Sequence, residues 1–278
     1  MNRTLTLTAG LALLVAQSSL AQEMPPPKVL QIIREQVKPG KTSAHEKVEL
    51  GWPRAYAKAN WPSGWIGMTS LTGAPEAWFV SGWDSYAAYE KNEQDFDKNA
   101  ALKAENDQMS MQDGDLLSGW TNMLASYRPN LSYGANIQVA KMRYFAVTTY
   151  RVNPGHGPDF LAARRLEKEA HEKAKQDEHY AYYQVVSGAP AGTYLVFRPM
   201  KSMAEMDVEV HGKAYQDAVG EAGRDRLREL QKDTLLSSAS QIFAFNPKIS
   251  YSTKEFAAGD PDFWTPKPAP TKPAETKK

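Results

Sequence analysis

The chain has 278 residues, 42% of them hydrophobic and 23% charged, and its formal net charge is +1. That balance offers no one-signed field to recruit nucleic acid or an anionic membrane surface. Cysteine is absent, which excludes disulfides, thiolate metal sites, a cysteine nucleophile and a lipid anchor through sulfur.

In chain order, residues 1–21 predict a secretory signal. Arg3 supplies the positive start, Leu5 to Ala16 is an apolar run, and Ser19-Leu20-Ala21 places small residues around a cleavage point. The run is shorter than the about 20 residues a spanning helix needs, and no later stretch could cross a bilayer. The expected location is therefore the periplasm or the medium. Pro25-Pro26-Pro27 follows as a stiff lead-in.

Residues 28–135 and 143–251 read as two copies of one unit. Val37-Lys38-Pro39-Gly40 matches Val152-Asn153-Pro154-Gly155, and Leu71-Thr72-Gly73-Ala74-Pro75 matches Val186-Ser187-Gly188-Ala189-Pro190, both at an offset of 115. Pro129 and Ser132-Tyr133 match Pro247 and Ser250-Tyr251 at an offset of 118. Matches in one order over so long a stretch indicate a repeat, whereas any one of them alone is only a turn signal.

Each copy then predicts the same elements. Strands over 28–37 and 143–152 end in Pro-Gly turns. Helices follow over 42–60 and 158–174, the first interrupted at Gly51-Trp52-Pro53. A hairpin comes next, over 65–71 and 77–82 in the first copy and over 180–186 and 193–198 in the second. Helical sequence starts near Ser85 and Ser202, both suited to capping, and runs to about 117 and 237. Last strands cover 121–128 and 240–246. Residues 252–278 are rich in Pro and Lys and predict a flexible tail. The order β-α-β-β-α-β, twice, is the ferredoxin-like split unit. Helices cover one face of such a sheet, and the other needs a partner. Two units in one chain can supply it internally, which predicts an α+β pseudo-dimeric barrel and a monomer with an internal two-fold, with higher oligomers left open.

The segments Trp83-Asp84-Ser85-Tyr86-Ala87 and Met200-Lys201-Ser202-Met203-Ala204, following strand, Pro-Gly, helix and hairpin, resemble the dimeric α+β barrel superfamily. The nearest flavour is the NIPSNAP and antibiotic-biosynthesis-monooxygenase-like members. The resemblance covers about 28–251 and rests on turns and caps. It implies a fold and no catalytic residue.

Candidate chemistry is sparse. The five histidines, His45, His156, His171, His179 and His211, have no counterparts between copies, and neither His45-Glu46 nor His171-Glu172 has a second histidine at i+4. Nothing in the sequence gathers the three ligands of a catalytic zinc, so no metal is expected. Some barrels of the resembled superfamily hold haem through a helix histidine. That makes His171 a haem candidate, although neither copy combines the suitable Trp and His. Alternate residues on the first strands, including Arg34 and Arg151, mix apolar with polar groups as a ligand pocket does. Six of seven tryptophans fall in the first copy, while the second uses tyrosine. Trp52, Trp65 and Trp83 join Arg34, Arg151 and His171 as candidate ligand contacts, against plain core packing. No phosphate loop or nucleophile elbow is present. Three functions stay open: binding of a small apolar or aromatic molecule in the barrel, a cofactor-free or haem-dependent monooxygenase, and an interaction module without a pocket. No resident cofactor is expected, haem excepted.

Overall fold

A computed structural model describes residues 25–265. The expected signal segment and residues 266–278 lie outside them. Among the described residues, no helix is long and apolar enough to cross a membrane.

Eight antiparallel strands close into a barrel. The first half contributes β1 (Val29–Val37), β2 (Ile66–Ser70), β3 (Glu76–Trp83) and β4 (Leu117–Tyr127). The second contributes β5 (Tyr144–Val152), β6 (Ala181–Ser187), β7 (Thr193–Met200) and β8 (Leu235–Phe245). Around the barrel the order is β1-β3-β2-β8-β5-β7-β6-β4, with β4 returning to β1. The halves therefore meet at two seams. One pairs Met68 with Phe245 and Ser70 with Phe243, and the other runs from Leu124 opposite Ser187 to Tyr127 opposite Tyr183. Closure leaves no free sheet edge.

Strand alternation decides what fills the lumen. Leu30 and Ile32 of β1 face inward with Met68, Trp78, Met123, Phe145, Tyr183, Phe197, Phe243 and Phe245. Trp78, Ile32, Met68 and Phe243 are fully buried, and the Trp78 and Phe243 rings sit 4.9 Å apart. Each such side chain contributes about 1.5–3 kcal/mol on burial. At one end, Arg34 pairs with Glu76 at 2.5 Å, and Glu76 also accepts the Trp78 indole N–H at 2.9 Å. Large aromatics of both halves interdigitate across the lumen, while Leu30, Phe145, Tyr183 and Phe197 at one end also border a cavity of about 540 Å³.

Helices cover the outer faces. The first half carries α1 (Thr42–Glu49), α2 (Gly51–Lys58), α3 (Tyr86–Lys98) and α4 (Ala100–Gly114). The second carries α5 (Gly157–Ala174) and α6 (Lys213–Gln231). The expected interruption at Gly51-Trp52-Pro53 is the α1/α2 break. Pro53 lies in the first turn of α2, where a missing N–H costs nothing, but it could not continue α1. At Gly51 a Cβ would meet Met109 Sδ of α4 at 2.4 Å, so a side chain there would displace that flexible thioether. Ser85 caps α3 through Ala88 N, as expected. Ser202 caps only a short 3-10 turn, Met203–Asp207, and α6 starts after Gly212. β4 and β8 begin at Leu117 and Leu235, within the stretches expected to be helical. The outer part of β8 is exposed on both faces, so it has no apolar alternation to read.

The expected flexible tail is corrected up to Thr265. Two short helices, α7 (Lys254–Ala257) and α8 (Pro261–Trp264), pack against the barrel end. Trp264 is buried and donates its indole N–H to Ala140 O at 2.7 Å, and Asp260 pairs with Arg143. Phe256 and Phe263 pack edge-on to Trp264. Composition alone hides such docking, because three aromatics suffice to anchor a Pro-rich segment.

Candidate functional site

The cavity lies outside the barrel, between the first half's sheet and its helices. Its volume is about 690 Å³. The outward residues of β1, β3 and β4 form one wall: Gln31, Ile33 and Glu35, then Phe79, Ser81 and Trp83, then Trp120 and Asn122. Trp52, Tyr56, Trp61 and Phe96 face them.

The helix break lies beside the cavity, and α2 beyond it contributes Trp52 and Tyr56 to the lining. Tyr56 meets Trp65 edge-on at 4.9 Å and stacks at 6.4 Å with Phe96. Burial, and secondarily the Glu93 carboxylate, pushes the Tyr56 phenol up to about 12, so it stays protonated.

The indole N–H groups are not used alike. Trp61 donates to Asn92 at 3.0 Å and Trp65 to Ile249 O at 2.9 Å. Trp83 Nε1 is buried without a partner, and so is Asn106 Oδ1 across the cavity. A buried polar atom left unpaired costs about 1–3 kcal/mol.

At the cavity floor three carboxylates converge on one imidazole. His45 Nε2 lies 2.9 Å from Glu35 Oε2, 3.7 Å from Glu49 Oε1 and 3.6 Å from Asp113 Oδ1. All four residues are buried. Glu35 comes from β1, His45 and Glu49 from successive turns of α1, and Asp113 from the end of α4. Burial, then the charges of Glu35 and Asp113, hold Glu49 well above the usual carboxylate range. Burial and Glu35 push Asp113 up to about 6, against the opposing pull of His45.

Of the sequence-derived candidates, Trp52, Trp65 and Trp83 line this cavity. Arg34, Arg151 and His171 do not. Arg34 plugs the lumen end beside Glu76. Arg151 ends β5 in the second half and shares by alternation the face of Phe145 and Val147. His171 packs among Tyr133, Tyr180, Tyr215 and His211 on the far side, with Nδ1 2.6 Å from Gln176 Oε1. Sequence reading missed Glu35, His45, Glu49 and Asp113, and with them the only convergence of potential metal ligands among the described residues. The i,i+4 spacing of His45 and Glu49 was a visible signal, but the other two come from distant elements.

Haem does not fit this wall. Its described lining includes no histidine or methionine to serve as an axial donor, and its tyrosine is a neutral phenol. A second cavity of about 540 Å³ opens at the barrel mouth, lined by Pro25–Pro27, Phe256, His179 and the lumen residues Leu30, Phe145, Tyr183 and Phe197, and shares Trp65 and Trp83.

No family model and no curated protein matches the chain. Among solved structures, it is similar to a candidate monooxygenase from Fusobacterium nucleatum at 12% identity and TM-score 0.49, over 80% of this chain and 94% of that one. An anthrone oxidase-like protein matches at 13% identity and TM-score 0.47, over 79% and 92%. A mutant chlorite dismutase from Candidatus Nitrospira defluvii in complex with cyanide matches at 8% identity and TM-score 0.45, over 84% and 95%. At such identities and scores these likenesses carry no argument about reaction or cofactor.

Proposed function

We propose that this protein binds one small aromatic molecule in the cavity between the first half's sheet and helices. The observation that carries the reading is an aromatic-walled cavity of about 690 Å³ with the Trp83 N–H and the Asn106 carbonyl buried and unpartnered. The indoles offer faces for a planar ring. Trp83 calls for an acceptor on the ligand and Asn106 for a donor, a pair that a neutral hydroxylated quinone provides; the lining holds Glu35, Glu49, Glu93 and Asp113 and no basic residue, which disfavours an anion. The cavity also weighs against an interaction module without a pocket.

The ligand site sits on a fold that we read as a tandem duplication of a ferredoxin-like unit. Support comes from the order β4-β1-β3-β2 in one half and β8-β5-β7-β6 in the other, and from positive-φ glycines at Gly40 and Gly155 and at Gly73 and Gly188. We place the chain among exported proteins, on the strength of residues 1–21.

Tryptophan fluorescence tests the reading, since Trp52, Trp61, Trp65, Trp83 and Trp120 all line the cavity. Titration with hydroxynaphthoquinones and with neutral hydroxybenzamides should give saturable quenching at one ligand per chain. Trp83→Phe should weaken binding about 5- to 10-fold, the worth of one hydrogen bond. Absence of saturable quenching across both series would overturn the reading. Oxygen uptake measured on the bound quinol would extend it to monooxygenation.

A further inference from the structure

We propose that Glu35, His45, Glu49 and Asp113 form a binding site for one divalent first-row cation, such as Zn²⁺ or Mn²⁺, at the floor of the cavity.

Charge is the first reason. Three carboxylates face one imidazole, so even an imidazolium leaves an excess of negative charge. Among the described residues, His45 is the only basic side chain within ion-pair reach of Glu35, Glu49 or Asp113. Glu49 ends α1 and Asp113 lies in the last turn of α4. Helix C-termini carry partial negative charge, which disfavours carboxylates and attracts cations.

Unmet bonding is the second and independent reason. Glu49 Oε1 and Asp113 Oδ1 have no hydrogen-bond partner, although each residue is only 3% exposed. Buried carboxylates are normally paired or bound to metal.

Geometry is the third. The four donor atoms all lie within 4.8 Å of one another. Donors about 2.1 Å from a tetrahedral ion stand about 3.4 Å apart. The 3.7 Å and 3.6 Å separations from His45 Nε2 to Glu49 and Asp113 are close to that spacing. The 2.9 Å contact with Glu35 would open by about half an ångström. An imidazole nitrogen among oxygens favours first-row transition ions over Mg²⁺ or Ca²⁺, which take all-oxygen sets.

The second half supplies an internal control. At the offset of 115, Glu35, His45 and Glu49 correspond to Tyr150, Phe160 and Arg164. These three are together in space, with the Arg164 guanidinium 5.6 Å from the Tyr150 ring and 5.5 Å from the Phe160 ring. Arg164 pairs with Glu167 at 2.8 Å. Where the second half provides its own cation, the first provides a fourth ligand and leaves the cation to solution.

The site does not depend on the aromatic ligand, so it is tested without one. Tag-free full-length protein is stripped with EDTA and titrated with Zn²⁺ by calorimetry and with Mn²⁺ by electron paramagnetic resonance. Native mass spectrometry counts the ions. One ion per chain is expected. Glu49→Gln and Asp113→Asn should each weaken it more than about 100-fold, beyond the 10- to 100-fold loss of a supporting partner. Both variants are nearly isosteric, and circular dichroism confirms their fold. Lack of 1:1 binding at about 1 mM of either ion, or equal affinity in wild type and both variants, would overturn the proposal. The cluster would then be neutralised by protons alone. Either result leaves the fluorescence test of the aromatic site unaffected.

Discussion

Glu49→Gln should stabilise the metal-free protein, and increasingly so as pH rises. Glu49 faces Glu35 from β1, His45 from its own helix and Asp113 from α4, all with donor atoms within 4.8 Å. At an effective dielectric of about 20, two like charges that far apart repel by about 3.5 kcal/mol. Glu49 feels two such repulsions and at most one compensating attraction, from protonated His45. Its folded-state pKa therefore lies above the ordinary 4.5. The protonated carboxyl stabilises the fold fully below the unfolded value, and that contribution is lost as pH rises through the folded value. Glutamine imitates the protonated acid at every pH. In EDTA, the variant should equal wild type near pH 4.5 and exceed it by about 2–3 kcal/mol at pH 8. That is roughly 4–10 °C in Tm. Denaturant melts at several pH values measure the difference. Saturating Zn²⁺ should erase or reverse the difference, because wild type gains at least about 2.7 kcal/mol more than the variant from binding that is over 100-fold tighter. A destabilised variant at pH 8 in EDTA, or a pH-independent difference, would refute the reasoning.

Three further outcomes follow from packing and titration elsewhere. Phe243→Ala empties the lumen beside Trp78 and should cost about 3–5 kcal/mol in denaturant melts; a cost below 1 kcal/mol would mean the lumen is not packed as described. Trp264→Ala should release the α7–α8 segment without unfolding the barrel, seen as new proteolytic cuts within 252–265 at little change in the barrel's far-UV dichroism. His171 is held below its ordinary pKa by burial, so the fold loses stability as pH falls below 6.5, where only the unfolded chain takes the proton. His171→Phe should flatten that acid limb and cost about 1 kcal/mol at neutral pH through the lost Gln176 bond.

The strands, the Pro-Gly and Gly-Ala-Pro turns and the break before Trp52 were legible because each rests on local chemistry: alternation, a left-handed glycine, a proline that cannot donate. The tryptophan-rich half also pointed to the right side of the molecule. The position of the cavity was not legible. Whether a strand's mixed face or its apolar face lines the lumen is decided only when all eight strands close, and closure placed Trp78 inside and Trp83 outside. Arg34 and Arg151 were candidates for a pocket in the lumen, and alternation does place both on the lumen face, away from the cavity under the helices. The acidic floor was illegible for a different reason. Glu35, His45 and Glu49 are close in sequence, but Asp113 joins them only through the packing of α4 on α1, and one His with one Glu at helical spacing is ordinary surface chemistry.

The two seams of the barrel bear on how the molecule is made. During synthesis the first half is complete when β4 emerges, yet it then has β2 and β4 as bare edges and a lumen face with Ile32, Met68 and Trp78 open to water. Nothing within that half can satisfy them, since their partners, β8 and β6, lie at opposite ends of the second half and β8 is the last strand to appear. The barrel cannot close at that seam until β8 brings Phe243 and Phe245 to β2. An unfinished chain with two bare strand edges is exposed to domain-swapped pairing with another unfinished copy.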